Sequence, residues 1–235
     1  MYFLSKEFPE YYRYHGRKIS KKISNSNLNL LYEFYNHYSL DDNIISYHKN
    51  NILNKKKIIE LNNSEVLNIE IGFGDGEHLI KKAVSKPHEM FIGVEVYING
   101  IVKVLKSIIE NEIKNIRLCN VNGMFLVKAL PHSSVDNLFL INPDPWVKKR
   151  HHKRRIISLE NLKFFNRIMK TKNSIYITTD SQKYFNDIKE ILANNEDLLG
   201  HFSQRALTKK DILYDVSRYQ RKAIKNGGKI YQLTI

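Results

Sequence analysis

Cysteine is nearly absent: Cys119 is the only one in 235 residues. That excludes an internal disulfide and any zinc site built from several thiolates, and it points to a reducing compartment. Cys119 itself reads as a small buried hydrophobe. Long apolar stretches are missing too. No run reaches the roughly 18 apolar residues that a membrane span needs, and the opening MYFLSKEFPE lacks an apolar secretory core. No membrane partner is expected, and the cytoplasm is the default location. Acid is in short supply, with 24 Asp and Glu against 38 Lys and Arg and a formal net charge of +14. This balance, with a pI of about 9.6, favours a polyanionic partner. An AT-rich genome would also enrich Lys, Asn and Ile without selection for binding, so clustering decides. The charges do cluster, at Arg13–Lys22, Lys148–Arg155 and Arg205–Lys229.

What is present is an ordinary globular composition, 42% hydrophobic and 26% charged, in a chain long enough for one α/β domain with appendages. No internal repeat or long low-complexity linker interrupts it. Residues 1–50 read as a basic, aromatic-rich N-terminal extension and residues 51–235 as the main domain. Within the extension, Tyr11-Tyr12-Arg13-Tyr14-His15-Gly16-Arg17-Lys18 interleaves rings with cations, as where bases stack and phosphates are neutralised. Aromatics packing on the domain would explain the stretch equally well.

From Glu65 onward strands and helices alternate. Strands are expected at Val66–Ile71, Met90–Val96, Asn115–Asn120, Val135–Ile141 and Ser174–Thr179. Helices are expected at Glu77–Ser85, Ile98–Glu110, Gly123–Leu130, Arg154–Lys170 and Gln182–Leu192, and Gly228–Ile235 closes the chain as a strand. The alternation predicts a doubly wound, mostly parallel α/β sheet with helices on both faces.

The most informative stretch is Leu138–Arg155, LFLINPDPWVKKRHHKRR. An apolar strand ends at Pro143, and in open α/β sheets ligands sit beyond such strand ends. Pro143 and Pro145 fix two φ angles near −65°, so Asp144 is held on a stiff turn. Trp146 offers a flat apolar face. Lys148, Lys149, Arg150, Lys153, Arg154 and Arg155 offer charge for phosphates. A solvated helix start is the plainer explanation of a basic run, but cations in a first helical turn oppose its macrodipole. A binding role explains their placement better, with a planar base brought to Asp144 and its backbone on the basic run.

A second unit is the strand, turn and helix around Gly72-Phe73-Gly74-Asp75-Gly76. Glycines at 72, 74 and 76 allow close backbone approach, and a helix N-terminus follows. The spacing is G-x-G-x-G, not the dinucleotide G-x-G-x-x-G. Glu70, just before the turn, would repel a pyrophosphate, and a ligand with a cationic amino group suits it better. Glu95 ends the second strand, where an acidic residue grips ribose hydroxyls. Together the two acids favour S-adenosylmethionine over a dinucleotide.

Taken in order, IEIGFGDGEHL, FIGVEVYINGI, NPDPWVKKRHHKRR and TTDSQKY resemble the bacterial tRNA (guanine-N7-)-methyltransferase family. The likeness runs from Glu65 to the end, and YYRYHGRKISKK is similar to that family's basic lead-in. It implies a Rossmann-like methyltransferase that methylates N7 of a guanosine in the tRNA variable loop. It also implies that Glu70, Glu95 and Asn122 contact S-adenosylmethionine, that Asp144 is the active-site residue near the cofactor, and that Lys148 and Asp180 contact the substrate. The family's Thr-(Lys/Arg)-(Phe/Tyr)-Glu substrate segment aligns with Ser217-Arg218-Tyr219-Gln220. Three positions depart from the family: Asn122 stands for the usual Asp, Gln220 for Glu, and Asn142 for an aromatic residue. An amide oxygen at 122 still accepts a hydrogen bond from an adenine amine, without charge assistance.

Other readings stay open at this point. NPDPW loosely resembles the Asn-Pro-Pro-aromatic turn of amino-methyltransferases acting on adenine N6 or cytosine N4, although Asp144 and the basic run argue against them. A non-catalytic RNA-binding protein on the same fold would tolerate Asn122 and Gln220. Asp180 could cap the following helix. His151-His152 is a poor metal site, being two adjacent histidines in a cationic run, and no metal is expected.

Overall fold

The computed structural model describes residues 23–50, 66–196, 203–207 and 218–235. Its centre is a seven-stranded sheet: β1 (Leu67–Ile71), β2 (Met90–Val94), β3 (Ile116–Cys119), β4 (Val135–Ile141), β5 (Met169–Thr179), β6 (Ser203–Leu207) and β7 (Ile230–Thr234), in the order β3-β2-β1-β4-β5-β7-β6. The first five run parallel, and β7 pairs antiparallel with β5 and β6. Every residue of β1 and β2 is buried, which is why both read as unbroken apolar runs: helices cover both sides of a parallel sheet. Strand order reverses between β1 and β4, so the loops leaving those two strands open onto one crevice. That places the glycine-rich turn beside the Asp144 turn.

Two hydrophobic clusters sandwich the sheet. One joins Ile69, Ile71, Leu138 and Leu140 to α5 (Gly123–Ala129), α6 (Leu159–Ile168) and α7 (Gln182–Ala193). The other joins Phe73 and Phe91 to α3 (Glu77–Ser85) and α4 (Ile98–Glu110). Two earlier helices, α1 (Asn25–Tyr38) and α2 (Asp41–Asn50), fall in the stretch read as an extension. Leu31 and Tyr35 of α1 join the second cluster, while Ile44 and Ile45 of α2 join the first. The residues between them close the sheet's edge: Ser39 bridges to Leu118 of β3, and Leu40 N donates to Leu118 O at 3.0 Å. An edge strand with unpaired backbone groups is a liability, and this hairpin covers it. The aromatic–cationic stretch 11–18 lies outside the described residues.

One expected element is corrected. The helix predicted over Arg154–Lys170 is shorter: α6 runs only over Leu159–Ile168, Arg154 ends a separate 3-10 turn at Lys149–Arg154, and Met169 and Lys170 already belong to β5. Ser158 is the N-cap, its Oγ accepting from Asn161 N at 3.3 Å, and Glu160 sits in the first turn. The cations are thereby kept off the positive end of α6, as the macrodipole demands. The argument from cations in a first helical turn therefore does not apply, because they occupy a separate turn. The closing segment begins later than expected, with α8 (Arg218–Lys225) preceding β7.

Candidate active site

The tips of β1, β2 and β4 enclose a cleft of about 580 Å³. The turn after β1 supplies its floor. Gly72 lines the cleft with φ +77°, and a Cβ there would meet no described atom within 4 Å, so the space beside the backbone is open to a ligand. Gly76, also at positive φ, has the opposite reason for being glycine: a Cβ would stand 2.0 Å from Val104 Cγ2 of α4. Ile71, Val94, Val96, Val121, Met124 and Phe125 provide apolar walls.

Glu95 follows β2 and is 8% exposed. Its Oε2 accepts from Gly74 N at 2.7 Å and its Oε1 from Tyr97 N at 2.9 Å. Burial raises its pKa, the backbone donors oppose this, and the Asp144 carboxylate adds to the rise. The last effect places both acids in one electrostatic environment. Asn120 Nδ2 donates to Glu95 O at 2.8 Å and fixes the strand tip. Asn122 caps α5, its Oδ1 accepting from Met124 N at 3.0 Å, and it lines the cleft.

Asp144 is exposed and lines the cleft from the β4 side. The turn that carries it is bracketed by two left-handed residues, Asn142 (φ +48°) and Trp146 (φ +41°). Asparagine is among the non-glycine residues that best tolerate this region, which accounts for Asn142. Thr178 of β5 holds it. The Thr178 hydroxyl donates to Asn142 Oδ1 at 3.0 Å, accepts from Asn142 N at 3.2 Å, and accepts from Gln220 Nε2 at 2.9 Å. One donor and two lone pairs are all used. Gln220, 2% exposed, thus joins α8 to the Asp144 turn.

The cations divide. Lys148, Lys149, Arg150 and Lys153 are exposed along the 3-10 turn at the rim. Arg154 lies over the Trp146 ring, 5.1 Å from its centroid, and lines the cleft. Arg155 corrects the expectation of a phosphate contact: it is 8% exposed, and its guanidinium bonds to Pro145 O and to Asp187 Oδ2, both at 2.8 Å.

Other expected residues are placed as follows. Glu70 is not among the residues lining the cleft. Its carboxylate lies 2.8 Å from His78 Nδ1, and the pair is buried. The strand alternates its side chains, so Ile71 rather than Glu70 meets the cleft. Gly74 and Gly76 shape the turn without lining the cleft. Asp180 is exposed beyond β5 and does not cap α7, because Ser181 does so, accepting from Tyr184 N. Arg218 and Tyr219 open α8, and Ser217 lies outside the described residues. Cys119 is buried and its thiol pKa is pushed well up by burial. Among the described residues no group of three or more His, Cys, Asp or Glu is placed to hold a metal, and no helix is long and apolar enough to cross a membrane. Sequence reasoning missed Thr178, Asn120 and Asp187. Thr178 stands inside the TTDSQKY motif, which gave a signal; the other two act only through tertiary contacts.

The family described as "Putative methyltransferase" matches residues 64–233. A "Bifunctional methyltransferase" of Rickettsia felis is 33% identical over 91% of this chain, which spans only 37% of that relative's length. A "tRNA (guanine-N(7)-)-methyltransferase" of Bartonella henselae is 34% identical over 90% of both chains. Among solved structures, an "antibiotic related Methyltransferase" superposes with a TM-score of 0.58 at 16% identity, covering 78% of this chain and 94% of that one, a likeness of fold. With a family model matching residues 64–233 and a relative 34% identical over 90% of both chains, this chain belongs to the tRNA (guanine-N7-)-methyltransferase family.

Proposed function

We propose that the protein transfers the methyl group of S-adenosylmethionine to N7 of a guanosine in the variable loop of tRNA. The observation that carries this reading is the meeting of Glu95 and Asp144, from two different strand tips, on one cleft beside the open Gly72 backbone. The residues present suit the cofactor. Backbone N–H groups hold the Glu95 carboxylate at the tip of β2, where it can take a ribose hydroxyl, and Asn122 stands in the same cleft on the side where an adenine would lie. The cleft's volume lies within the roughly 300–1,000 Å³ of ordinary ligand sites. When bound, S-adenosylmethionine supplies an electrophilic methyl carbon on a sulfonium.

Guanine N7 carries an in-plane lone pair, so no proton has to leave before it attacks that carbon. The N–C bond forms as the C–S bond breaks, and positive charge passes from sulfur to the purine. The chain therefore has little acid–base work; its task is alignment and charge. Asp144, held between two prolines, hydrogen-bonds the base edge and opposes the charge that develops there. Trp146 and Arg154 present a flat cationic face beside it. Lys148, Lys149, Arg150 and Lys153 take phosphates along the rim, and Asp180, exposed beyond β5, contacts the substrate. Gln220 acts through Thr178 on the Asp144 turn.

The test is transfer of labelled methyl from S-adenosylmethionine to unmodified tRNA, followed by borohydride–aniline treatment. Label accompanied by scission at one guanosine is the expected result, because only an N7-methylated base is labile in this way. Label without scission would move the activity to an exocyclic amine. No label would leave an RNA-binding protein.

A further inference from the structure

Of the six cations in the basic run, Arg155 alone is folded inward, and every part of its guanidinium is committed to the protein. Nε donates to the Pro145 carbonyl at 2.8 Å and Nη1 to Asp187 Oδ2 at 2.8 Å, while Nη2 lies 3.1 Å from His152 Nε2. The guanidinium plane sits 4.6 Å from the centroid of the buried Tyr184 ring. Tyr184 and Asp187 lie three residues apart on α7, so one face of that helix provides both the stacking ring and the carboxylate. A planar fork with a fixed spread of donors satisfies such an arrangement, and an ammonium does not.

What the fork grips is the Pro145–Trp146 peptide, one residue beyond Asp144. Trp146 adopts φ +41°, a region bulky side chains rarely enter. That angle is set between the Pro145–Trp146 peptide plane and the rest of Trp146. Arg155 holds the plane through the Pro145 oxygen, and Arg154 and His151 hold the ring, at 5.1 Å and 5.7 Å. Because the Pro145 ring fixes its own φ, few free torsions separate the gripped carbonyl from the Asp144 carboxylate. Anchoring the oxygen therefore anchors the acid.

We infer that Arg155 and Asp187 are positioning residues that hold the Asp144 turn in its reactive shape, and that Arg155 is not a phosphate ligand. The inference rests on the methyltransferase reading of Asp144 given above. Misplacing a reacting group by about 1 Å costs up to a hundredfold in rate. The experiment compares wild type with Arg155→Lys, Asp187→Asn and the double variant, measuring kcat, tRNA affinity against salt, and acrylamide quenching of Trp146, the only tryptophan in the chain.

The expected result is a fall in kcat of about tenfold or more in each single variant. Salt slope and tRNA affinity should stay unchanged, quenching should increase, and the double variant should be no worse than the singles because they share one contact. Arg155→Lys keeps the charge, so a phosphate ligand would instead retain kcat, and weaker tRNA binding with a flatter salt slope on further change to Ala would overturn the proposal. A lower melting temperature with kcat and quenching unchanged would also overturn it, since that is the mark of a merely structural contact. If wild type yields no aniline-labile guanosine, the functional reading fails by itself. The quenching comparison then still decides whether the clamp exists.

Discussion

At the residue scale, the buried carboxylate of Asp41 shows how far the N-terminal hairpin is tied to the site. Asp41 accepts from the Tyr35 hydroxyl at 2.9 Å and from Asn120 N at 2.8 Å, and Asn120 in turn holds the Glu95 backbone. Burial pushes the Asp41 pKa up from 3.8 to about 6, against the pull of the Asn120 N–H and the Tyr35 hydroxyl. The folded protein therefore holds a proton that the unfolded chain releases near pH 4. Its stabilising contribution is complete below that point and is lost as pH rises through about 6. The Asp41→Asn variant has no such titration. From pH 4 to pH 6, wild type should lose roughly 2 kcal/mol relative to the variant, read from urea unfolding at stepped pH. Parallel pH profiles for the two proteins would contradict it. Glu70 makes a different point at this scale. It was expected to contact the cofactor at the end of β1, but the partner it finds is His78 of its own chain, a contact eight residues away that no local spacing announces.

At the scale of elements, the 3-10 turn is the part proposed to meet RNA. Four exposed cations project from a short element with no buried residue, so their removal costs no packing. Replacing Lys149 and Lys153 together by Ala should reduce the magnitude of the log–log salt slope of tRNA binding by about 1.5, for two phosphates lost. Filter binding over a salt series measures this, and an unchanged slope would return the turn to a solvated surface. Most of the elements were legible beforehand for a simple reason: parallel strands covered on both sides read as unbroken apolar runs, and α3 and α4 begin and end where the periodicity does. β6 was not legible, because SQRAL carries no apolar run and sits at the sheet's edge. The start of α6 was misread because apolar residues such as Ile156 and Ile157 continue the spacing backwards past its Ser158 cap. The inward turn of Arg155 was not legible either. Six adjacent cations look alike in sequence, and the one that folds in is chosen by Asp187, 32 residues further on.

At the scale of the whole molecule, the sheet's order does the work of assembly. Because β1 and β4 are neighbours, Gly72, Glu95 and Asn122 share a single cleft with Asp144, Trp146 and Arg154 although the chain separates them. The exposed cations of the 3-10 turn stand at the rim of that cleft, which gives the net charge of +14 a direction as well as a size. The account predicts a division of labour: rim cations set affinity, and Asp144 sets rate. Its most direct test is the Asp144→Ala variant, assayed for methyl transfer to tRNA at saturating cofactor and, separately, for tRNA binding. The predicted result is a fall in kcat of about a hundredfold with tRNA affinity unchanged; equal turnover in the variant, or a loss confined to binding, would contradict it.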